Sequence, residues 1–171
     1  MHKPDTFASS KDGGNIIYKI KVELYDGPIP ESFIKKCKEA PYRVIELRGS
    51  HTLQDLHDMI FKAFNRFEQH QYEFQFGGEN PMDEKAVCYG LKMLLEGFDD
   101  GHEIKDAETT PMIAVDLKVG DTFFYWFDFG DNWMHKCELL SIEESKKDKQ
   151  RYPKIVERSG PSPAQYYDDI D

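Results

Sequence analysis

The sequence predicts a single α+β domain, mainly an antiparallel sheet with a C-terminal aromatic hairpin, packed against one long amphipathic helix and shorter helices. Two patterns indicate this class. Residues 16–24 alternate between apolar and charged side chains, which is typical of a strand with one face in water. Residues 53–67 repeat apolar side chains at helical spacing. A length of 171 residues with 39% hydrophobic and 13% aromatic residues suits one domain with a substantial core.

Three strands are predicted in the first half of the chain. The first places Ile16, Tyr18, Ile20, Val22 and Leu24 on one face. The second is residues 42–49. The third is residues 70–76, beginning at His70, and turns Tyr72, Phe74 and Phe76 inward, with Gln71, Glu73 and Gln75 outward.

The clearest helix is predicted to begin after Thr52. Thr52 with Asp55 three residues later resembles a capping box, and the apolar stripe continues to Phe67. Shorter helices are predicted at Glu31–Glu39 and around residues 86–98. Residues 109–117 are predicted to form a short strand.

A hairpin is predicted at residues 123–139, where aromatic residues surround the sequence Gly-Asp-Asn. A three-residue loop at 130–132 pairs Phe129 with Trp133, Phe127 with His135, Tyr125 with Cys137 and Phe123 with Leu139. Slipping by one residue would pair Asp128 with His135 but mix aromatic with charged side chains. Burial of an aromatic face, at roughly 25 cal/mol per Å², outweighs an exposed Asp–His pair of at most about 1 kcal/mol. We therefore predict the first register; a bulge at Gly130 would change it.

The chain is predicted to comprise a flexible N-terminal tail (1–14), one domain (15–160) and an acidic, Pro-containing C-terminal tail (161–171). Residues 79–108 carry nine acidic residues and three lysines, which indicates exposed acidic loops.

Net charge and cysteine content limit the classes of partner and the cellular compartment that the sequence favours. A net charge of −10 disfavours binding to nucleic acid and to anionic membranes, and only residues 146–158 form a weak basic stretch. The longest apolar runs are far shorter than the eighteen or so residues of a membrane span. Cys37, Cys88 and Cys137 are odd in number and widely spaced, which favours reduced thiols and a cytoplasmic location. The oligomeric state is left open.

The hairpin turn supplies the candidate catalytic residues Asp128, Asp131 and His135. Each also has a structural interpretation: aspartates around a turn accept backbone N–H bonds, and His135 falls on the apolar face. Candidate binding residues are Trp133, Arg43 and His70. Trp133 is expected to cover the end of the core. His70 would belong to a site if it lay close to His135.

No metal site and no cofactor are predicted. The histidines lack the HExxH motif or any other ligand spacing. His135 and Cys137 share a strand face, and packing in the core is the favoured interpretation of both.

Several short motifs, in order, resemble the Ri-plasmid open-reading-frame-three-like family. "FYWFDFGDNWMHKCEL" is similar to its signature YxYDFGDxWxHxI, and "LKVGDTFFY" to the LKPGDxFxY that precedes it. "IYKIKVEL", "PYRVIEL", "TLQDLHDMI" and "HQYEF" resemble its earlier segments, so the likeness spans about residues 16–160. Tyr42 replaces the usual Trp, residues 28–40 look inserted, and the ending lacks the usual Cys and PPED.

The resemblance implies an α+β fold in a prokaryotic protein associated with mobile elements. The family is also labelled insertion-element passenger TnpR-like, which implies site-specific recombination. The residues disfavour that chemistry, since the chain has no HxxR motif and Tyr166 and Tyr167 precede two aspartates.

The favoured function is a non-catalytic binding or protein-interaction module, with protein as the partner. The alternative is an enzyme, either a metal-dependent hydrolase or recombination-related, with its site around the DFGDNWMH turn. An enzyme should bring Asp128, Asp131 and His135 together in a concave pocket, with Arg43 as a further candidate, whereas a module should bury them individually.

Overall fold

One eight-stranded mixed sheet dominates the computed structural model, which describes residues 13–91, 103–145 and 150–167. Its strands are β1 (Ile16–Asp26), β2 (Tyr42–Arg48), β3 (Tyr72–Phe76), β4 (Val87–Gly90), β5 (Ile104–Asp106), β6 (Thr122–Phe127), β7 (Trp133–Glu144) and β8 (Lys154–Ser159). The helices of these residues are α1 (Glu31–Lys36), α2 (Leu53–Ala63) and a 3-10 turn (Met112–Ala114). The α+β class is therefore confirmed, with sheet predominating.

The strands lie in the order β5-β4-β3-β6-β7-β1-β2-β8. Neighbours are antiparallel except β4 and β5, which are parallel. One face of the sheet and the apolar side of α2 form the core, whose buried side chains include Ile20, Ile45, Leu56, Phe74 and Tyr125. Each residue predicted to face inward on β1 and β3 is buried. Glu73 and Gln75 of β3, predicted to face outward, are buried as well.

Helix α2 begins as predicted but is not long. Thr52 accepts from the Asp55 backbone N–H, and the Asp55 side chain accepts from the Thr52 N–H, completing the capping box. The helix ends at Ala63 after 11 residues because Asn65 adopts a left-handed backbone with φ 54°. Phe67, predicted on the helix stripe, lies beyond this end and is 71% exposed.

The predicted hairpin register is wrong by two residues, although the predicted buried face is right. Phe127 pairs with Trp133, Tyr125 with His135 and Phe123 with Cys137. The loop is therefore five residues, 128–132, and begins and ends with left-handed backbone at Asp128 (φ 62°) and Asn132 (φ 58°). A two-residue shift keeps the side chains of both strands on their own faces, so burial does not distinguish the two registers. Phe129, predicted on the buried face opposite Trp133, instead lies in the loop and stacks on Trp126 on the other face.

Other predicted elements need correction. Part of the helix predicted around residues 86–98 is strand β4, and residues 92–98 lie outside the described residues. The strand predicted at 109–117 is replaced by the 3-10 turn, and α1 ends at Lys36 rather than Glu39. Strands β5 and β8 were not predicted. The predictions for residues 1–12, 146–149 and 168–171 also lie outside the described residues.

The helices of the described ranges include none that is both long and apolar enough to cross a membrane.

Candidate functional site

An open cleft of about 760 Å³ lies beside the hairpin turn, on the sheet face opposite the core. Its floor comes from β3 and β4, through Glu73, Gln75 and Cys88. The alternation of a strand explains this placement, since Phe74 and Phe76 point to the core and their neighbours point away. The rest of the wall comprises His70, Gln71, Met82, Asp83, Glu84, Ile104, Trp126, Asp128, Phe129 and Gly130.

The carboxylate of Asp128 fixes the turn at one end of the cleft. Its Oδ1 accepts hydrogen bonds from the backbone N–H groups of Gly130 and Asp131, at 3.0 and 3.2 Å. Its backbone oxygen accepts from the backbone N–H of Asn132 at 2.6 Å, and its own backbone N–H donates to the backbone oxygen of Gln71. Aspartate suits this position because it tolerates left-handed backbone and bonds to the residues that follow it.

Two aromatic rings form the rim of the cleft. Trp126 and Phe129 stack with ring centroids 4.0 Å apart and an interplanar angle of 29°. The indole Nε1 of Trp126 donates to Asn132 Oδ1 at 2.9 Å. The turn therefore holds the indole in one orientation, half-buried at the edge of the cleft.

The cleft floor is polar and well ordered by hydrogen bonds. Glu73 is only 4% exposed, and its Oε1 accepts from Gln75 Nε2 at 3.2 Å. Gln75 also accepts from the Met82 backbone N–H at 2.8 Å, and this bond joins the loop that contains Met82 to β3. Burial raises the pKa of the Cys88 thiol, and its hydrogen bond to Glu73 raises the pKa further. This thiol therefore stays protonated and poorly nucleophilic at neutral pH.

His70 joins the turn to the C-terminal segment. Its Nε2 lies 3.4 Å from Asp128 Oδ2 and 2.5 Å from the hydroxyl oxygen of Tyr166. Gln165, which precedes Tyr166 in the chain, is 3% exposed. Its Oε1 accepts from the backbone N–H groups of Phe67 and Glu68, and its Nε2 donates to the backbone oxygen of Glu68. Residues 165–166 thus pack against the domain beside the cleft.

His135 lies on the core side of the sheet, away from the cleft. Its Nδ1 donates to the Tyr125 backbone oxygen at 3.2 Å, so Nε2 accepts from Arg66 Nη2 at 3.0 Å. Burial, and then the adjacent Arg66 charge, hold the pKa of His135 well below its ordinary value. The imidazole is therefore neutral and fixed in one tautomer.

Arg66 is the buried cation behind the turn. Its guanidinium lies 4.7 Å from the Trp133 ring and 5.0 Å from the Phe127 ring. Burial lowers the pKa of Arg66 to about 10, so the side chain remains charged at neutral pH. Arg66 Nη1 and Trp133 Nε1 are buried without a hydrogen-bond partner among the described residues.

A second buried histidine, His57, packs on the other side of Tyr125. Its Nδ1 accepts from the Tyr125 hydroxyl at 2.6 Å, and its Nε2 donates to Gln69 Oε1 at 2.9 Å. The ring stacks on Tyr72 with centroids 3.8 Å apart. Burial lowers the pKa of His57 to about 4.

Arg43 lies apart from the cleft, at the C-terminal end of α2. Its Nε donates to the Ala63 oxygen at 2.9 Å, Nη1 donates to the oxygens of Tyr42 and Ser159, and Nη2 donates to Ser162 Oγ. Every nitrogen of the guanidinium thus bonds to the fold itself.

The structure brings together only some of the predicted site residues. Asp128 and His70 meet at the cleft, and Asp131 is half-exposed on the same turn. His135 and Trp133 lie in the core, Arg43 lies elsewhere, and the convergence of His70 with His135 is not observed. In the described ranges, no three His, Cys, Asp or Glu side chains are grouped so that they could hold a metal ion.

Sequence reasoning missed Trp126, Phe129 and Glu73 as cleft residues. The signal for Trp126 was present, since alternation places this large aromatic side chain on the face opposite the apolar one. Glu73 gave no such signal, because an outward acidic residue on a strand is ordinarily exposed. Its burial depends on the loop at 78–84 folding over the sheet.

Comparison with known proteins places this arrangement in a family. The sequence signature described as "Plasmid pRiA4b ORF-3-like protein" matches residues 33–169 of the chain. The chain belongs to this family. The match confirms the plasmid ORF-3-like resemblance, and the TnpR-like label is not confirmed by it.

One solved structure shows the fold of this plasmid ORF-3-like protein. It is a protein of unknown function, MM3350, from Methanosarcina mazei Go1, 21% identical, with a TM-score of 0.63. The alignment covers 86% of this chain and 72% of that one. No curated protein matches the chain.

Proposed function

We propose that the chain is a non-catalytic binding module for a protein partner, and that the cleft beside the hairpin turn is its binding surface. The observation that carries the proposal is that Asp128 and His135, two of the three candidate catalytic residues, serve the fold separately, as does the candidate binding residue Arg43. Asp128 fixes the turn, His135 bonds to Arg66 and the Tyr125 backbone, and Arg43 bonds to the end of α2.

The size and lining of the cleft support binding. A volume of about 760 Å³ falls in the range of ligand pockets, and the walls combine apolar side chains with a few polar groups. Trp126 and Phe129 supply large rigid rings, which commonly contribute most to binding free energy at interfaces. A cleft this open suits part of a protein, such as a loop or an extended segment.

The wider setting belongs to the same proposal. A cytoplasmic location is consistent with Cys37, Cys88 and Cys137, all of which are free thiols. The domain limits at 15 and 160 and the association with mobile elements stay predictions.

The proposal is tested by panning a random peptide library on the purified protein and measuring the Kd of enriched peptides. Trp126→Ala should weaken their binding by about tenfold or more, because it removes half of the aromatic rim. The control is Val119→Ala, which shortens an exposed apolar side chain just before β6 begins and should leave the Kd unchanged.

Two results would contradict a non-catalytic module at this cleft. One is a set of enriched peptides whose Kd is the same for the Trp126→Ala variant. The other is hydrolysis of generic ester or phosphodiester substrates, with or without divalent cations, that Asp128→Asn abolishes while the melting temperature stays unchanged.

A further inference from the structure

The charged side chains that line the cleft are acidic, apart from the histidine His70. Glu73, Asp83, Glu84 and Asp128 contribute four carboxylates, and among the described lining residues there is no Lys or Arg. Lys85 and Lys105 neighbour the lining residues in the sequence without lining the cleft themselves. The cleft therefore carries a negative potential that favours a positively charged occupant.

The buried position of Glu73 strengthens that preference. Its side chain lies at the floor of the cleft, 4% exposed, where the surrounding protein screens a charge less than water does. Its Oε1 accepts from Gln75 Nε2 at 3.2 Å. Glu73 thus offers the donors of a ligand a carboxylate at the cleft floor whose charge is little screened by water.

The aromatic rim provides the second element of cation recognition. Trp126 stacks on Phe129, and the Asn132 side chain fixes the indole. A cation over the face of a tryptophan is attracted by the ring electrons, and a planar guanidinium also stacks on it. Carboxylates at the floor and an indole at the rim match the donors and the flat shape of an arginine side chain.

We infer that the cleft binds an arginine side chain from a basic segment of the partner protein, with the guanidinium against Trp126 and its donors directed to Glu73 and Glu84. This inference rests on the proposed function and adds the class of ligand. The net charge of −10 would speed association with such a segment, more so at low ionic strength.

The test compares an acetylated six-residue arginine peptide with its citrulline counterpart, which has the same size and no charge. Binding to the full chain is followed by calorimetry. The arginine peptide should bind about tenfold or more tightly than the citrulline peptide, and Glu73→Gln and Glu84→Gln should each weaken it about tenfold. Asp83 is left intact because its carboxylate accepts the N–H groups of Glu79 and Lys85.

The matched control is Glu144→Gln. This exposed residue at the end of β7 lies outside the cleft, and its substitution changes the net charge equally. Glu144→Gln should change the Kd by less than about twofold. An equal loss in the Glu73, Glu84 and Glu144 variants would mean general attraction between opposite charges, which would overturn the inference. Melting temperatures of all three variants establish that each is folded.

The remaining outcomes separate this inference from the proposed function. If citrulline and arginine peptides bind alike, or if enriched library peptides need Trp126 but neither Glu73 nor Glu84, the arginine inference fails and the binding module stands. If no library peptide depends on Trp126, the proposed function fails and the inference fails with it.

Discussion

At the scale of single residues, the turn at 128–132 depends on one carboxylate. Asp128 Oδ1 accepts two backbone N–H groups while its own backbone is left-handed. Asp131, equally prominent in the sequence, is half-exposed, and no hydrogen bond joins its side chain to another described residue. Alternation identified the buried rings, but the sequence could not rank the two aspartates, because both suit a turn.

Asp128→Ala should lower the free energy of unfolding by about 2 kcal/mol, since two N–H groups lose their acceptor and alanine disfavours positive φ. Asp128→Asn keeps a side-chain oxygen and tolerates left-handed backbone, so its loss should be below about 1 kcal/mol. Urea unfolding at neutral pH measures both. Equal losses for the two variants would contradict the assigned role of the oxygen.

The buried histidines make stability depend on pH in a defined window. Burial lowers the folded-state pKa of His57 from 6.5 to about 4, and the pKa of His135 is also lowered. Because the folded pKa is the lower one, this stability is fully present above about pH 6.5 and is lost as the pH falls towards 4. The loss from His57 should reach about 3 kcal/mol.

Urea unfolding between pH 7.5 and 4 tests this dependence. The slope of unfolding free energy against pH should become shallower in His57→Gln, which cannot titrate. His70→Gln is the control, since His70 is partly exposed beside the cleft. A slope that is unchanged in His57→Gln would contradict the pKa shift.

At the scale of elements, the sequence predicted features that depend on residues close together in the chain. It did not predict features that depend on contacts between distant segments. The capping box at Thr52 and Asp55 fixed the start of α2, since both partners are close in sequence. The end of α2 combines a local feature, the left-handed backbone of Asn65, with hydrogen bonds to the Ala63 oxygen from Arg43 and Arg158, which lie on other strands. Strands β5 and β8 have three and six residues at the sheet edges, too short or too exposed to show a clear alternation.

Arg43→Met should lower the free energy of unfolding by about 3 kcal/mol, because it removes one of two arginine donors to the Ala63 oxygen and the Arg43 donors to the oxygens of Tyr42, Ser159 and Ser162. Arg43→Lys should recover less than half of this, since an ammonium cannot replace the planar fork. Arg158→Met, which removes one bond to Ala63, should cost about 1 kcal/mol. Thermal and urea unfolding give all three values. A loss for Arg43→Met no larger than that for Arg158→Met would contradict this assignment.

At the scale of the whole molecule, the C-terminal segment closes the domain beside the cleft. Gln165 is buried and bonds to the loop after α2, while Tyr166 reaches His70. The sequence indicated an acidic tail here, because proline, aspartate and tyrosine give no periodic pattern. The packing of residues 162–167 depends on acceptors and donors supplied by residues about one hundred positions earlier.

Gln165→Ala should lower the free energy of unfolding by about 2 kcal/mol. The backbone N–H groups of Phe67 and Glu68 lose their acceptor, and the backbone oxygen of Glu68 loses a donor. Tyr166→Phe is the matched change on an exposed residue and should cost less than about 1 kcal/mol. Hydrogen exchange of the Phe67 and Glu68 amides should accelerate in the first variant alone. Unchanged exchange at both amides would show that Gln165 does not hold this loop.

The position of β1 in the sheet has a consequence for synthesis of the chain. β1 lies between β2 and β7 in the sheet, yet β7 begins only at Trp133, more than one hundred residues after β1 ends. At translation rates of about 5–20 residues per second, one edge of β1 waits on the order of ten seconds for its neighbour to be made. Lys19, Lys21 and Glu23 give one face of the unpaired strand charged side chains, which we expect to disfavour aggregation of the nascent chain.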